Sequence, residues 1–132
     1  MKENSKRFRT ASDLNSLIFK ADEITPTPVK AIIFHVSRCG STLLSQLLGL
    51  NPAWISLAEV PLFDDILRIN YKQPFDKDLD VKGLLNASVN LVGKKRFSEE
   101  EYLFIKTDSW HIFFYEMYRS LYPDIAFILL YR

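Results

Sequence analysis

A single cysteine, Cys39, is the only thiol in the 132-residue sequence. An internal disulfide is thereby excluded, which agrees with a reducing compartment. Charge of one sign is also missing: 17 Lys and Arg stand against 16 Asp and Glu, for a formal net charge of +1. Without a basic stripe the chain does not carry the electrostatic footprint of a duplex-binding protein, and no nucleic-acid partner is expected. Apolar runs such as Ile125–Leu130 fall far short of the roughly 20 residues that cross a bilayer, so no transmembrane segment is expected. The start, MKENSKRFRTASDLNSLIFKAD, is basic but lacks a continuous apolar core and a small-residue cleavage site. It is not a signal peptide, and a cytoplasmic location is the default expectation. No cluster of His, Cys and carboxylates has ligand spacing, so no metal is expected.

What is present is an ordinary globular composition, 48% apolar and 25% charged, enough for one domain with one core. Residues 1–28 end in TPTP and read as an N-terminal leader, with a short helix over Asp13–Ala21. From Val29 to Arg132 the pattern alternates. Strands are expected at Val29–Val36, Ala53–Leu57, Tyr102–Thr107 and Ile125–Tyr131, the last being the kind of continuous apolar run found in strands covered on both faces. Helices are expected at Ser41–Leu50, from Pro61 through Asn70, over Leu79–Val92, and over Trp110–Tyr122 with Asp108 or Ser109 as its N-cap; Tyr71–Asp78 reads as a loop.

The expected fold class is therefore α/β: a P-loop-type parallel sheet with helices on both faces and right-handed crossovers. Residues 29–132 form that domain. The chain stops at Arg132, where a connection back from the sheet edge should begin, so the domain is expected to be truncated after its fourth strand. Ligands in such sheets lie at the carboxyl ends of the strands. That rule selects Ser37–Thr42, Leu57–Pro61, Lys106–His111 and Arg132.

The first of these, SRCGST (Ser37, Arg38, Cys39, Gly40, Ser41, Thr42), joins a strand to a helix. Such a turn offers backbone N–H groups and the positive end of a helix dipole, and its usual guest is an anion. A nucleoside-triphosphate loop would read G-x-x-x-x-G-K-[ST]. Here Ser41 stands in the lysine position, and the cation has moved to Arg38. A cysteine-phosphatase loop needs an arginine six residues after its cysteine, and that position is Ser45.

The arrangement that survives resembles the sulfotransferase family, whose members carry a [KR]-[SG]-G-[ST]-T loop after the first strand. SRCGSTLL is similar to that loop, with arginine at the cationic place as in tyrosylprotein sulfotransferases. LAEVPLFDDIL resembles the segment that supplies a catalytic glutamate in that branch, and the likeness maps the role to Glu59. FIKTDSWHIFFYEMYRSLYPDIAFILLYR is similar to the family stretch ending on the arginine that binds the donor's 3′-phosphate, here Arg132. Asp108 stands where many cytosolic members have a histidine.

The resemblance implies transfer of a sulfuryl group from 3′-phosphoadenosine 5′-phosphosulfate, the co-substrate, to a hydroxyl or amine acceptor whose class is unreadable. Ser37–Thr42 and Arg132 would bind the donor. Arg38 would face the departing phosphate, Glu59 would act as base, and Lys106 would neutralise the group in flight. Asp108 and His111 remain alternatives for the base. His35, inside the first strand, reads as packed or hydrogen-bonded, and Cys39 as a small packed residue. Two other functions stay open: an atypical P-loop kinase or nucleotide hydrolase, and a non-catalytic nucleotide-binding remnant.

Overall fold

A computed structural model describes residues 13–72 and 79–132. Four strands, β1 (Val29–His35), β2 (Trp54–Ala58), β3 (Tyr102–Lys106) and β4 (Ala126–Leu130), form one sheet in the order β2-β3-β1-β4, with every pairing parallel. All four expected strands are present within a residue or two of their expected bounds. Their carboxyl ends lie along one edge, so the four places selected from the sequence share one end of the sheet.

The helices form where local chemistry allows. Asp13 caps α1 (Leu14–Asp22) by accepting from Ser16 N at 2.7 Å, and Asp80 caps α5 (Val81–Val92) by accepting from Gly83 N at 2.8 Å. Pro61 opens α3 (Pro61–Leu67) at a first-turn position where its missing N–H costs nothing. The helix expected to run on to Asn70 breaks at Arg68, and a short α4 (Ile69–Lys72) follows. Tyr71 and Lys72, expected to open a loop through Asp78, belong to α4, and residues 73–78 lie outside the described residues. The helix α1, within the stretch expected to be a leader, packs on α5 and buries Ala21.

Strand periodicity sorts the two faces. Ile32, Phe34, Ile55, Leu57, Leu103 and Ile105 point to one side, where they form the main core with Phe63, Ile66, Leu84, Leu85 and Val89 of α3 and α5 and with Tyr118 of α6 (Tyr115–Leu121). The opposite face is covered by α2 (Ser41–Leu48), which packs on β2 and β3; there Ser56 Oγ donates to Ser45 O at 2.8 Å.

Two expectations are corrected. The run Ile125–Tyr131 is not covered on both faces: β4, like β2, is an edge strand of the sheet and pairs only with β1, and Leu129 is 54% exposed. Its apolar run reflects β propensity and one packed face; Phe127 stacks on Phe34, while Arg119 lies over Phe127 and donates to Ile125 O at 2.9 Å. The expected helix over Trp110–Tyr122 is in fact a 3-10 turn, Ser109–Phe114, followed by α6. Its aromatics are also not uniformly core, since Phe113 and Tyr115 are exposed and Tyr118 is fully buried.

Candidate functional site

The loop after β1 bends sharply. Arg38 takes φ 60 and Gly40 φ 85, both in the left-handed region. Glycine adopts that conformation freely, whereas arginine there costs about 1–2 kcal/mol. Gly40 is the N-cap of α2, and no side chain caps that helix, so its first-turn N–H groups face outward from the end of β1. Ser41 is buried, Cys39 is half-buried, and Ser37, Arg38 and Thr42 are exposed. Among the described residues Arg38 makes no ion pair.

Glu59, just beyond β2, is the other non-glycine residue with positive φ among those described, at 48. Its N–H donates to Lys106 O at 2.8 Å, which prolongs the β2–β3 ladder by one rung and directs the carboxylate back over the sheet edge. There Glu59 Oε1 accepts a hydrogen bond from Lys106 Nζ in an ion pair. The two partners differ in setting: the Lys106 side chain is 2% exposed and the Glu59 side chain 46%. A buried ammonium needs a counter-charge, and Glu59 supplies it from the solvent side.

Register explains why Lys106 lies here. It pairs with Ala58 on one side and Ile33 on the other, so its side chain lies on the face covered by α2, one pleat below His35. The ring of His35 is 3.0 Å from Thr107 O through Nε2 and 3.2 Å from Val36 O through Nδ1, and Nε2 is also 3.4 Å from Glu59 Oε1. The expectation that His35 is packed and hydrogen-bonded is met. Its nearness to Glu59 escaped the sequence reading, although a histidine on the last residue of the strand that feeds the loop was a usable signal.

Thr107 is buried, donating both N–H and Oγ1 to Ile33 O. Asp108 holds the N-cap position expected of it, but its side chain accepts from Ser109 Oγ at 3.3 Å and caps no backbone N–H. Arg132 follows β4, whose Leu130 O accepts from Val36 N at 3.1 Å, so it lies at the same sheet end as the Ser37–Thr42 loop.

His111 belongs elsewhere. It is 1% exposed, on the core face; Nε2 lies 3.4 Å from Asp64 Oδ1 and Nδ1 lies 3.4 Å from the Tyr118 hydroxyl. Burial holds its imidazole below the ordinary histidine value despite the pull of Asp64. The structure therefore does not bring it together with Glu59 and Lys106. Asp64 also accepts from Trp110 Nε1 at 2.7 Å and from Arg68 Nε at 2.8 Å. Burial would raise its carboxyl, but the hydrogen bonds of Trp110 and His111 and the Arg68 guanidinium together hold it below the usual carboxylate range.

Fold and site together define an α/β protein with an uncapped, arginine-bearing loop and a glutamate–lysine pair at the carboxyl edge of a parallel sheet. No protein-family model matches the chain, and no curated protein matches it. The described residues hold no group of His, Cys, Asp and Glu able to bind a metal ion, and none of their helices is long and apolar enough to cross a membrane.

Proposed function

We propose that this chain carries the donor site of a sulfotransferase using 3′-phosphoadenosine 5′-phosphosulfate. The observation that carries the reading is the pair of strained non-glycine residues, Arg38 and Glu59, each just past the carboxyl end of its own strand, with Lys106 paired to the second. Backbone strain of this kind persists where the surrounding structure holds a side chain in a working position.

In this scheme the N–H groups at the start of α2, Thr42 and Arg38 hold the donor's 5′-phosphate, and Arg132 meets its 3′-phosphate. Sulfuryl oxygens compete with Glu59 for Lys106, which releases the carboxylate. Glu59 then takes the proton of an acceptor hydroxyl or amine as the acceptor atom bonds to sulfur. The S–O bond to the 5′-phosphate breaks, and adenosine 3′,5′-bisphosphate leaves with the negative charge that Arg38 stabilises. His35 Nε2 lies 3.4 Å from the same carboxylate.

Calorimetric titration of adenosine 3′,5′-bisphosphate against the chain tests the reading. Saturable binding without metal that is weakened at least tenfold by Arg38→Ala is the expected result. ATP binding that requires Mg²⁺ would replace it with a kinase or hydrolase reading, and bisphosphate binding with no transfer to any acceptor would leave a nucleotide-binding remnant.

A further inference from the structure

A second site lies on the other face of the sheet. Arg68, Tyr71, Trp110, Phe113 and Phe114 line a cavity of about 430 Å³ between α3–α4 and the 3-10 turn. That volume is within the roughly 300–1,000 Å³ of small-molecule sites. Its walls are fixed from behind. Trp110 is anchored through Nε1 to Asp64, and Phe114 meets the Trp110 ring edge-on, with centroids 5.4 Å apart. The Arg68 guanidinium stacks 4.7 Å above the Trp110 ring while its Nε is held by the same Asp64. A guanidinium has five N–H donors, and Asp64 engages the one on Nε.

Phe113, 82% exposed, and Tyr71 stand at the cavity as large rings that bury little within the fold. Rings left in water beside a preformed aromatic wall lose that exposure when a flat apolar body slides between them. The cation at the rim adds a requirement of charge.

We propose that this cavity binds a small planar aromatic carboxylate, its ring against Trp110 and Phe113 and its carboxylate on Arg68. The site stands on its own geometry and does not need sulfuryl transfer: Lys106 and Glu59 lie toward α2, whereas Asp64 and His111 lie toward α5.

The test is titration with 2-naphthoate, 2-naphthamide and 2-naphthylmethylamine, followed by calorimetry and by indole fluorescence in a Trp54→Phe background, where Trp110 is the remaining tryptophan of the two in the sequence. Expected is saturable binding of the carboxylate at least fivefold tighter than the amide, with the amine weakest. Arg68→Met should erase that preference. Phe113→Ser, at a position outside the core, should weaken carboxylate and amide alike while leaving the thermal midpoint unchanged. Equal affinity for carboxylate and amide, or no saturation at millimolar concentration, overturns the proposal. So does concentration-dependent self-association abolished by Phe113→Ser, which would assign the cavity to a contact between copies.

Discussion

Two carboxylates, Glu59 and Asp64, stand five residues apart in sequence, each beside a histidine and a cation, and they are built for opposite purposes. Asp64 sits within α3 and accepts from Trp110, His111 and Arg68, two of which belong to the segment after β3. Its oxygens are engaged by these three groups, and it acts as a brace between α3 and the 3-10 turn. Glu59 sits on strained backbone, about half exposed, with a buried ammonium as its principal partner. A saturated carboxylate stabilises a fold; a strained and half-open one is the group to which the proposed transfer assigns the base. The sheet keeps the two apart, one on the α2 face and one on the α5 face.

Activity should show the largest contrast. In whatever length of chain performs transfer, Glu59→Gln keeps the shape and removes the basic lone pair, so turnover should fall by roughly 10² or more with affinity for adenosine 3′,5′-bisphosphate nearly unchanged. Arg38→Ala should lower rate and affinity together, because its cation faces phosphate in both ground and transition states. Steady-state kinetics beside calorimetry separates the two patterns. Near-normal turnover in the Gln variant would remove Glu59 as the base and make Asp108 or His111 the next candidate.

Stability should depend on both carboxylates. Asp64→Ala leaves the Trp110 indole, the buried His111 ring and Arg68 without their acceptor and should cost about 3 kcal/mol in urea unfolding. Glu59→Gln leaves the buried Lys106 ammonium a neutral oxygen and no counter-charge, and should also cost about 3 kcal/mol. An unchanged midpoint in the Gln variant would mean that Lys106 does not depend on Glu59 for its counter-charge.

The pH response should belong to the brace. His111 is held below its ordinary value by burial, so the folded state binds fewer protons than the unfolded one. Its contribution is complete above about pH 6.5 and is lost as the pH falls from there toward the depressed value. The Asp64 carboxyl is likewise lowered, and its contribution disappears only below about pH 4. Thermal midpoints measured from pH 7.5 down to 5 should decline, and Asn in place of His111 should flatten that decline. An unchanged slope would place the titration elsewhere.

The smallest effect concerns strain. With Arg38 at φ 60, Arg38→Gly should relieve more strain than it adds in unfolded-chain entropy, stabilising the protein by about 0.5 kcal/mol while weakening bisphosphate binding. A loss of stability would mean that the arginine side chain contributes to the fold and is not held at its expense.

The amino-acid sequence by itself determined the α/β alternation, all four strands and the junction Ser37–Thr42, because β-branched runs, helical spacing and turn chemistry are local signals. It also marked Glu59 and Lys106 as strand-end residues. Boundaries resting on packing were less legible: α3 ends at Leu67, the aromatic segment begins as a 3-10 turn, and β4 is an edge. Only the tertiary structure decided which groups meet. Periodicity fixes which side of its own strand a residue takes, but pairing Lys106 with Glu59 across 47 positions, or His35 with Thr107 across 72, requires the β2-β3-β1-β4 order and its register. Those are set by how α2 and α5 bury opposite faces of the sheet, and no local pattern contains that choice.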